Sequence, residues 1–354
     1  MTELQMIRNS ERSDFKKCQA LWNWRWVEGL TPVMARQDAR WFGSIIHIAL
    51  AEYYTPQNGN GFIRGPHPVE VFSELSKNAY TTISAGQYFD DEAEGQFIDA
   101  VVLGTAMLDN YVKQYQGDPQ WEVLMPETRF EAKVPFNHRQ KMFPSEFISS
   151  MMEKNKYIVK MVGTFDMPVR DHTDGHIKIV DHKTTAKRES TAWLVKDDQA
   201  GTYITVSTGY LRKAGLITDS EAVTGAVWNY LRKAKPSDKP TNDKGQVLNK
   251  DGSVSKVQPA PLFWRESVVR GKANRTRQLE RMADDAEEMA LRRANLAPIL
   301  KSPGEHCAWC DMRDLCDIDE NGDDIDQFKR DVFKKEDVYA DHRPDAVNSK
   351  VGVV

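Results

Sequence analysis

Two runs of β-forming residues near the middle of the chain, YIVKMVGTFDMPVR and HIKIVDHKTTAK, are separated by one short turn. Each stays largely apolar up to an aspartate, Asp166 in the first and Asp181 in the second. Alternation in the second run places Ile177, Ile179, Asp181 and Lys183 on one face, and Lys178, Val180 and His182 on the other. Residues two apart on a strand are about 6–7 Å apart along it, so the acid and the amine converge on one site. The turn DHTDGH contains Asp174-Gly175, a strong hairpin signal, so the strand carrying Asp166 is expected to run antiparallel beside the one carrying Asp181. The plain alternative is a surface salt bridge, worth about 1 kcal/mol at most. Charges ending otherwise apolar strands are costly unless they pair or bind a cation, which favours a functional site.

The chain of 354 residues is 40% hydrophobic, enough for a large core, and its length suggests about two domains. A formal net charge of −4 rules out a generally cationic surface, although basic residues can still cluster locally. No run approaches about 18 consecutive apolar residues, so no membrane span is expected. The segment MTELQMIRNSERSDFKKC is polar and lacks a signal-peptide core, and the expected location is cytoplasmic. Structural disulfides are rare there, so the four cysteines need another explanation.

Cys307, Cys310 and Cys316 form C-x2-C-x5-C, and Cys18 lies near the opposite end. Four thiolates suit a tetrahedral zinc or a cubane iron–sulfur cluster. A split of one and three leans towards iron–sulfur, since zinc sites more often come as two short pairs. Zinc is the alternative occupant, and His306 could then replace one thiolate.

Residues from about Asp14 to Tyr54 read as helical, with Cys18, Trp22 and Trp26 on one face, and the tryptophans of LWNWRW read as core. Further on, Gly43 and His47 are four apart on an apolar helix, with the glycine allowing another element to approach. Val69 to Gln116 reads as two or three amphipathic helices. A strand is expected around PETRFEAKVPF, with Glu127 near its start. A helix is expected from near Ser190 to Leu211, where Gln199 and Tyr203 share a face and Gly201 costs roughly 1 kcal/mol relative to alanine. AVWNYLRKA and LFWRESVVRG read as strands around a polar insertion, Pro236 to Pro261, and TRQLERMADDAEEMALRRANL reads as a long helix. DIDENGDDIDQF imitates a calcium loop, but Phe328 stands where a bidentate glutamate belongs. There is no G-x-x-x-x-G-K-[ST] loop, G-x-S-x-G elbow or G-x-G-x-x-G fingerprint, so an NTPase motor is not evident.

Taken in order, these pieces resemble the RecB-like branch of the PD-(D/E)XK nuclease superfamily, specifically its iron–sulfur subgroup of AddB-type and CRISPR-associated adaptation nucleases. Gly43-Ser-Ile-Ile-His47 is similar to the helical G-x-x-x-H motif, Gly163-Thr-Phe-Asp166 to the G-x-x-D strand, and Asp181-His182-Lys183 to the (D/E)-x-K strand. The Gln199-to-Tyr203 segment is similar to the Q-x-x-x-Y helix. The resemblance implies His47, Asp166 and Asp181 as ligands of Mg²⁺ or Mn²⁺, and Asp166, Asp181, Lys183, Gln199 and Tyr203 as the catalytic set, the last two also holding DNA. Glu127 sits where many relatives have a glutamate before the core strand. Cys18, Cys307, Cys310 and Cys316 would hold a [4Fe-4S] cluster. One departure is that QALWNWRW follows Cys18, where the subgroup often has a proline and basic residues.

The implied fold is α/β, with a restriction-endonuclease-like core, a central mixed β-sheet flanked by helices, a helical N-terminal region, and a C-terminal iron–sulfur segment closing on the N-terminus. The expected divisions are 1–68 (N-terminal helical region), 69–120 (helical insertion), 121–300 (nuclease core, with the 236–261 insertion), 301–320 (cysteine segment) and 321–354 (charged tail). The expected function is a metal-dependent DNA exonuclease acting on ends or single strands in recombination, repair or phage DNA processing. Without a motor of its own, it would act alone or beside a separate helicase or recombination protein. An adaptation nuclease is the runner-up, and a non-catalytic DNA-binding scaffold of the same fold the reading from another class. The presence of His47, Asp166, Asp181 and Lys183 together argues against the scaffold.

Overall fold

The structure is a computed structural model that describes residues 4–33, 40–84, 90–137, 145–188, 190–243 and 246–343. It opens with strand β1 (Met6–Ile7) and helix α1 (Asn9–Lys17). Cys18 ends α1 in an extended conformation, φ −163° and ψ 121°. The short helix α2 (Gln19–Trp22), a π turn over Asn23–Val27, strand β2 (Leu30–Pro32) and helix α3 (Arg40–Tyr54) follow. The single helix expected from Asp14 to Tyr54 is therefore broken. Cys18 separates the first two pieces, so Cys18, Trp22 and Trp26 do not share one continuous helical face. Gly29, at φ +70°, leaves the helical conformation after the next, and a Cβ there would lie 2.6 Å from the Glu336 carbonyl oxygen. Trp22 and Trp24 are buried, as expected of core residues.

Helices α4 (Pro68–Ser84) and α5 (Asp91–Tyr115) form the expected amphipathic pair, α5 being capped by the Asp90 side chain accepting from Ala93 N at 2.9 Å. Then come β3 (Trp121–Val123), β4 (Thr128–Pro135), α6 (Glu146–Lys154), β5 (Tyr157–Phe165), β6 (Met167–Asp171) and β7 (His176–Thr185). A 3₁₀ turn over Ala192–Lys196 precedes helix α7 (Asp198–Lys213). The helix expected from Ser190 thus starts later, because the Asp197 side chain accepts from Ala200 N at 2.7 Å and caps it there. The remaining elements are β8 (Val223–Arg232), β9 (Phe263–Val269), α8 (Lys272–Arg293), α9 (Arg313–Asn321), α10 (Ile325–Val332) and β10 (Phe333–Lys335).

The main sheet has five strands in the order β3-β6-β7-β8-β9. It is mixed, since β7 and β8 run parallel through the α7 crossover while the other pairs are antiparallel. Its β6–β7 hairpin turns at Asp174-Gly175, with Gly175 at φ +71°. A second sheet, β1-β5-β4, takes the segment before Asp166. What the sequence reads as one strand is therefore two strands in separate sheets, with Asp166 at the break. Alternation along β7 serves two cores. Ile177 and Ile179 pack with residues of α7 and α8, whereas Val180 packs with residues of α3, α4 and α5. Helices therefore cover both faces of the sheet.

The C-terminal segment returns to the start of the chain. β10 pairs antiparallel with β2, and Met312, Leu315 and Phe333 share an apolar cluster with Ala20, Leu21 and Trp24. The polar 236–261 insertion connects β8 and β9 and carries isolated bridges at Thr241–Val247 and Leu248–Val254. No helix among the described residues is long and apolar enough to cross a membrane.

Candidate active site

Asp166 is positioned by the break between β5 and β6. The preceding Phe165 stacks on Phe130 with ring centroids 4.2 Å apart, and a Cβ on Gly163 would lie 2.8 Å from the Phe130 ring. The glycine of the G-x-x-D segment is thus required by packing, and that packing fixes where Asp166 emerges. Asp166 Oδ2 accepts from the His182 backbone N–H at 2.8 Å and lies 3.2 Å from His47 Nδ1. His47 comes from α3, which runs against β7; Gly43, one turn earlier, would place a Cβ 3.4 Å from Thr184 Oγ1.

Asp181 projects from β7 beside Lys183. Lys183 Nζ lies 2.6 Å from Asp181 Oδ2, and donates to Gln199 Oε1 at 3.2 Å. Gln199 Nε2 in turn approaches Asp181 Oδ1 at 3.2 Å and Tyr203 OH at 3.1 Å. Gln199 and Tyr203 are therefore inward-facing, with Tyr203 buried, rather than an ordinary helix surface. Gly201 between them lets α7 approach α8, since a Cβ there would meet the Gln278 side chain at 2.5 Å. That close approach is what offsets the helix cost of glycine.

Asp181 is 1% exposed, and its Oδ2 makes only the ionic contact to Lys183, without an aligned hydrogen bond. Burial pushes its carboxyl up to about 6, against the pull of Lys183 and with the help of nearby Asp166. For Asp166, burial acts the same way, but His47, His182 and Lys183 outweigh it and hold the carboxyl well below the usual range. Burial lowers His47, yet Asp166 more than compensates and raises it. Lys183 is likewise raised, its burial being overcome by Asp181 and Asp166. Two neighbouring carboxylates whose proton affinities are driven apart are an arrangement that a cation would relieve.

Glu127 completes the group. Its backbone is at φ 39°, in the left-handed region, and its N–H donates to the Asp166 carbonyl at 2.8 Å. Such a conformation in a non-glycine residue costs about 1–3 kcal/mol and persists only where the surroundings impose it. Ligand atoms of His47, Glu127 and Asp166 all lie within 4.8 Å of one another. The set brought together is thus His47, Asp166 and Glu127, with Asp181 alongside and engaged by Lys183 and Gln199. One imidazole and several carboxylates suit Mg²⁺ or Mn²⁺. The site opens into a cleft of about 720 Å³ lined by His47, Glu127 and Asp166.

Sequence reasoning missed the buried network behind the site. His182 stacks on Tyr54 with centroids 5.9 Å apart, and Asn229 Nδ2 approaches His182 Nδ1 at 2.8 Å and Tyr111 OH at 2.7 Å. Arg265 joins Asn229 at 3.1 Å and grips the buried Asp118 through both its terminal nitrogens, at 2.6 and 2.8 Å. Burial pushes His182 down to about 3, so its ring is neutral, as an acceptor from an amide requires. Alternation along β7 placed His182 on the face opposite Asp181, but nothing in the sequence named its partners.

The cysteines lie elsewhere. Cys18, Cys310 and Cys316 pack against one apolar cluster, and Cys307 is exposed on the 3₁₀ turn Glu305–Trp309. Burial raises the Cys310 and Cys316 thiols, opposed by Lys17 and Arg25 at the first and by Lys301 at the second.

A family model described as the PD-(D/E)XK nuclease superfamily matches residues 10–317. No curated protein matches the chain. A solved structure, "Crystal structure of SSO0001", aligns over 89% of this chain and 88% of that one, at 9% identity and a TM-score of 0.34.

Proposed function

This chain belongs to the PD-(D/E)XK nuclease superfamily, and from that membership we propose that it is a Mg²⁺- or Mn²⁺-dependent DNA exonuclease acting on ends or single strands. The observation that supports a hydrolytic site is the meeting of His47, Glu127 and Asp166 at one cleft, with Asp181 alongside and engaged by Lys183 and Gln199. The buried Asp181 carboxylate, whose Oδ2 has no aligned hydrogen bond, and the neighbouring Asp166 fit a hard divalent ion. When bound, such an ion neutralises charge on the phosphate and makes a water more acidic. His47, Asp166, Glu127 and Asp181 would hold it. Lys183, kept protonated by Asp181 and Asp166, stabilises negative charge building on the phosphate oxygens. Gln199 holds the Lys183 ammonium and the Asp181 carboxylate in register, and Tyr203 orients Gln199. DNA is the partner of this site, and the strand separation it needs would come from another protein.

The cysteines support a [4Fe-4S] cluster held by Cys18, Cys307, Cys310 and Cys316. The split of one remote and three near cysteines leans towards the cubane, since zinc sites more often come as two short pairs. Its role would be to join the N-terminal helices to the C-terminal segment.

The test compares wild type with Asp181→Asn on linear single- and double-stranded DNA, with and without Mn²⁺. The expected result is metal-dependent cleavage by wild type, lowered by about 10²-fold or more in the variant. Equal, metal-independent cleavage by both proteins removes the proposal.

A further inference from the structure

A second cleft, of about 570 Å³, lies on the other side of Asp166 from the one lined by His47 and Glu127. Its walls include Arg8, Ser13 and Lys16 from the start of the chain, Lys16 being paired with Asp198, and facing them Asp197, Gln199 and Tyr203. The two clefts share Thr164, Asp166 and Asp341. Asp341 belongs to the C-terminal segment, so a carboxylate from the far end of the chain stands where the two spaces meet. There it forms an ion pair with the Arg8 guanidinium.

Arg8 also rests against Tyr339. Its guanidinium lies 5.3 Å from the centre of the Tyr339 ring, and its Nε is buried without a hydrogen-bond partner. Tyr339 is itself anchored by its hydroxyl, which donates to the buried Glu11 carboxylate. The Asp341 side chain, by contrast, is 55% exposed. A half-exposed carboxylate on a fixed arginine is a weak, exchangeable contact. A phosphodiester carries the same charge and offers two oxygens to the arginine fork, the stronger geometry.

We propose that Arg8 is a phosphate-binding residue for the DNA strand, on the Gln199 and Tyr203 side of Asp166, and that Asp341 occupies its place until the strand displaces it. The proposal rests on the nuclease reading for its substrate, but it is tested by binding rather than by cleavage. A labelled single-stranded oligodeoxynucleotide is titrated with the full chain, with Ca²⁺ replacing Mg²⁺ to keep the strand intact. Asp341→Asn is expected to lower Kd by about fivefold, the equivalent of about 1 kcal/mol. Arg8→Gln is expected to raise Kd by a similar factor and to reduce the salt dependence by about one phosphate contact. The double variant should bind like Arg8→Gln alone, because Asp341 acts only through Arg8. Glu336→Gln, which removes a carboxylate of the same C-terminal segment outside both clefts, should leave Kd unchanged. Melting temperatures confirm that each variant is folded. An unchanged Kd for Asp341→Asn or for Arg8→Gln, an equal gain from Glu336→Gln, or a gain that survives in the double variant overturns the proposal. A nuclease reading that fails would instead show as metal-independent or absent cleavage, whatever the binding pattern.

Discussion

At the scale of single residues, most of the candidate site is explained by what each side chain would otherwise lack. Gly163 and Gly201 are there because Phe130 and Gln278 occupy the space a Cβ would need. Asp171 shows how a carboxylate at a strand end becomes a pH-sensitive part of the fold. It accepts from Trp121 Nε1 at 3.2 Å and from the Thr173 backbone at 2.9 Å, and Lys178 Nζ lies 2.9 Å away. Burial works to raise its carboxyl, but Lys178 and Thr173 outweigh it and hold the value at about 2. A value depressed on folding means stabilisation that is complete above the ordinary carboxylate range, and lost as pH falls from about 4 to 2. Asp171→Asn should therefore lower the melting temperature at neutral pH, with the gap to wild type closing below about pH 4. A gap that stays constant down to pH 2 would remove the linkage.

At the scale of elements, the hairpin and the β7–α7–β8 crossover carry the proposed chemistry. The hairpin was legible because Asp174-Gly175 encodes its own turn. The crossover was legible only in part. The apolar runs of β7 and β8 announce strands covered on both faces, but the parallel register is a long-range property. The helix boundary at Cys18 was missed because the four-residue spacing of Cys18, Trp22 and Trp26 includes it in one apparent helix. The cysteine segment is the element most open to test. Cys310 packs on the cluster that contains Leu21, Trp24 and Met312. If a cluster joins these pieces, Cys310→Ala should lose iron and soluble yield together, measured by metal analysis and far-UV circular dichroism. Soluble, folded and fully active protein without iron would refute that role.

At the scale of the whole molecule, the two ends of the described chain meet on one buried acid. Glu11 is fully buried and accepts from Trp22 Nε1 at 2.9 Å, while Arg293 of α8 and Tyr339 of the C-terminal segment bind it from the other sides. Removing one partner from a buried charged network costs about 3–5 kcal/mol, because the remaining charge is left uncompensated. Glu11→Ala should accordingly lower stability by that order and raise hydrogen exchange in both α1 and residues 336–343. Exchange confined to α1 would mean that the two ends are not coupled through this residue. The same segment carries Asp341 to the cleft, so its anchoring also sets where the Arg8 pair lies.

The amino-acid sequence alone determined the local pieces. Strand alternation, the Asp-Gly turn and the four-residue spacings placed His47, Asp166, Asp181, Lys183, Gln199 and Tyr203 on elements whose faces could be read by periods of 2.0 and 3.6. Only tertiary structure decided that Asp166 stands at a break between two sheets and that Glu127 turns in beside it on a strained backbone. It also decided that His182 leads into a buried polar network and that Asp341 reaches Arg8 from more than 300 residues away. Local periodicity reports which way a side chain points from its own element. What it meets there depends on packing between segments distant in sequence, which no local pattern encodes.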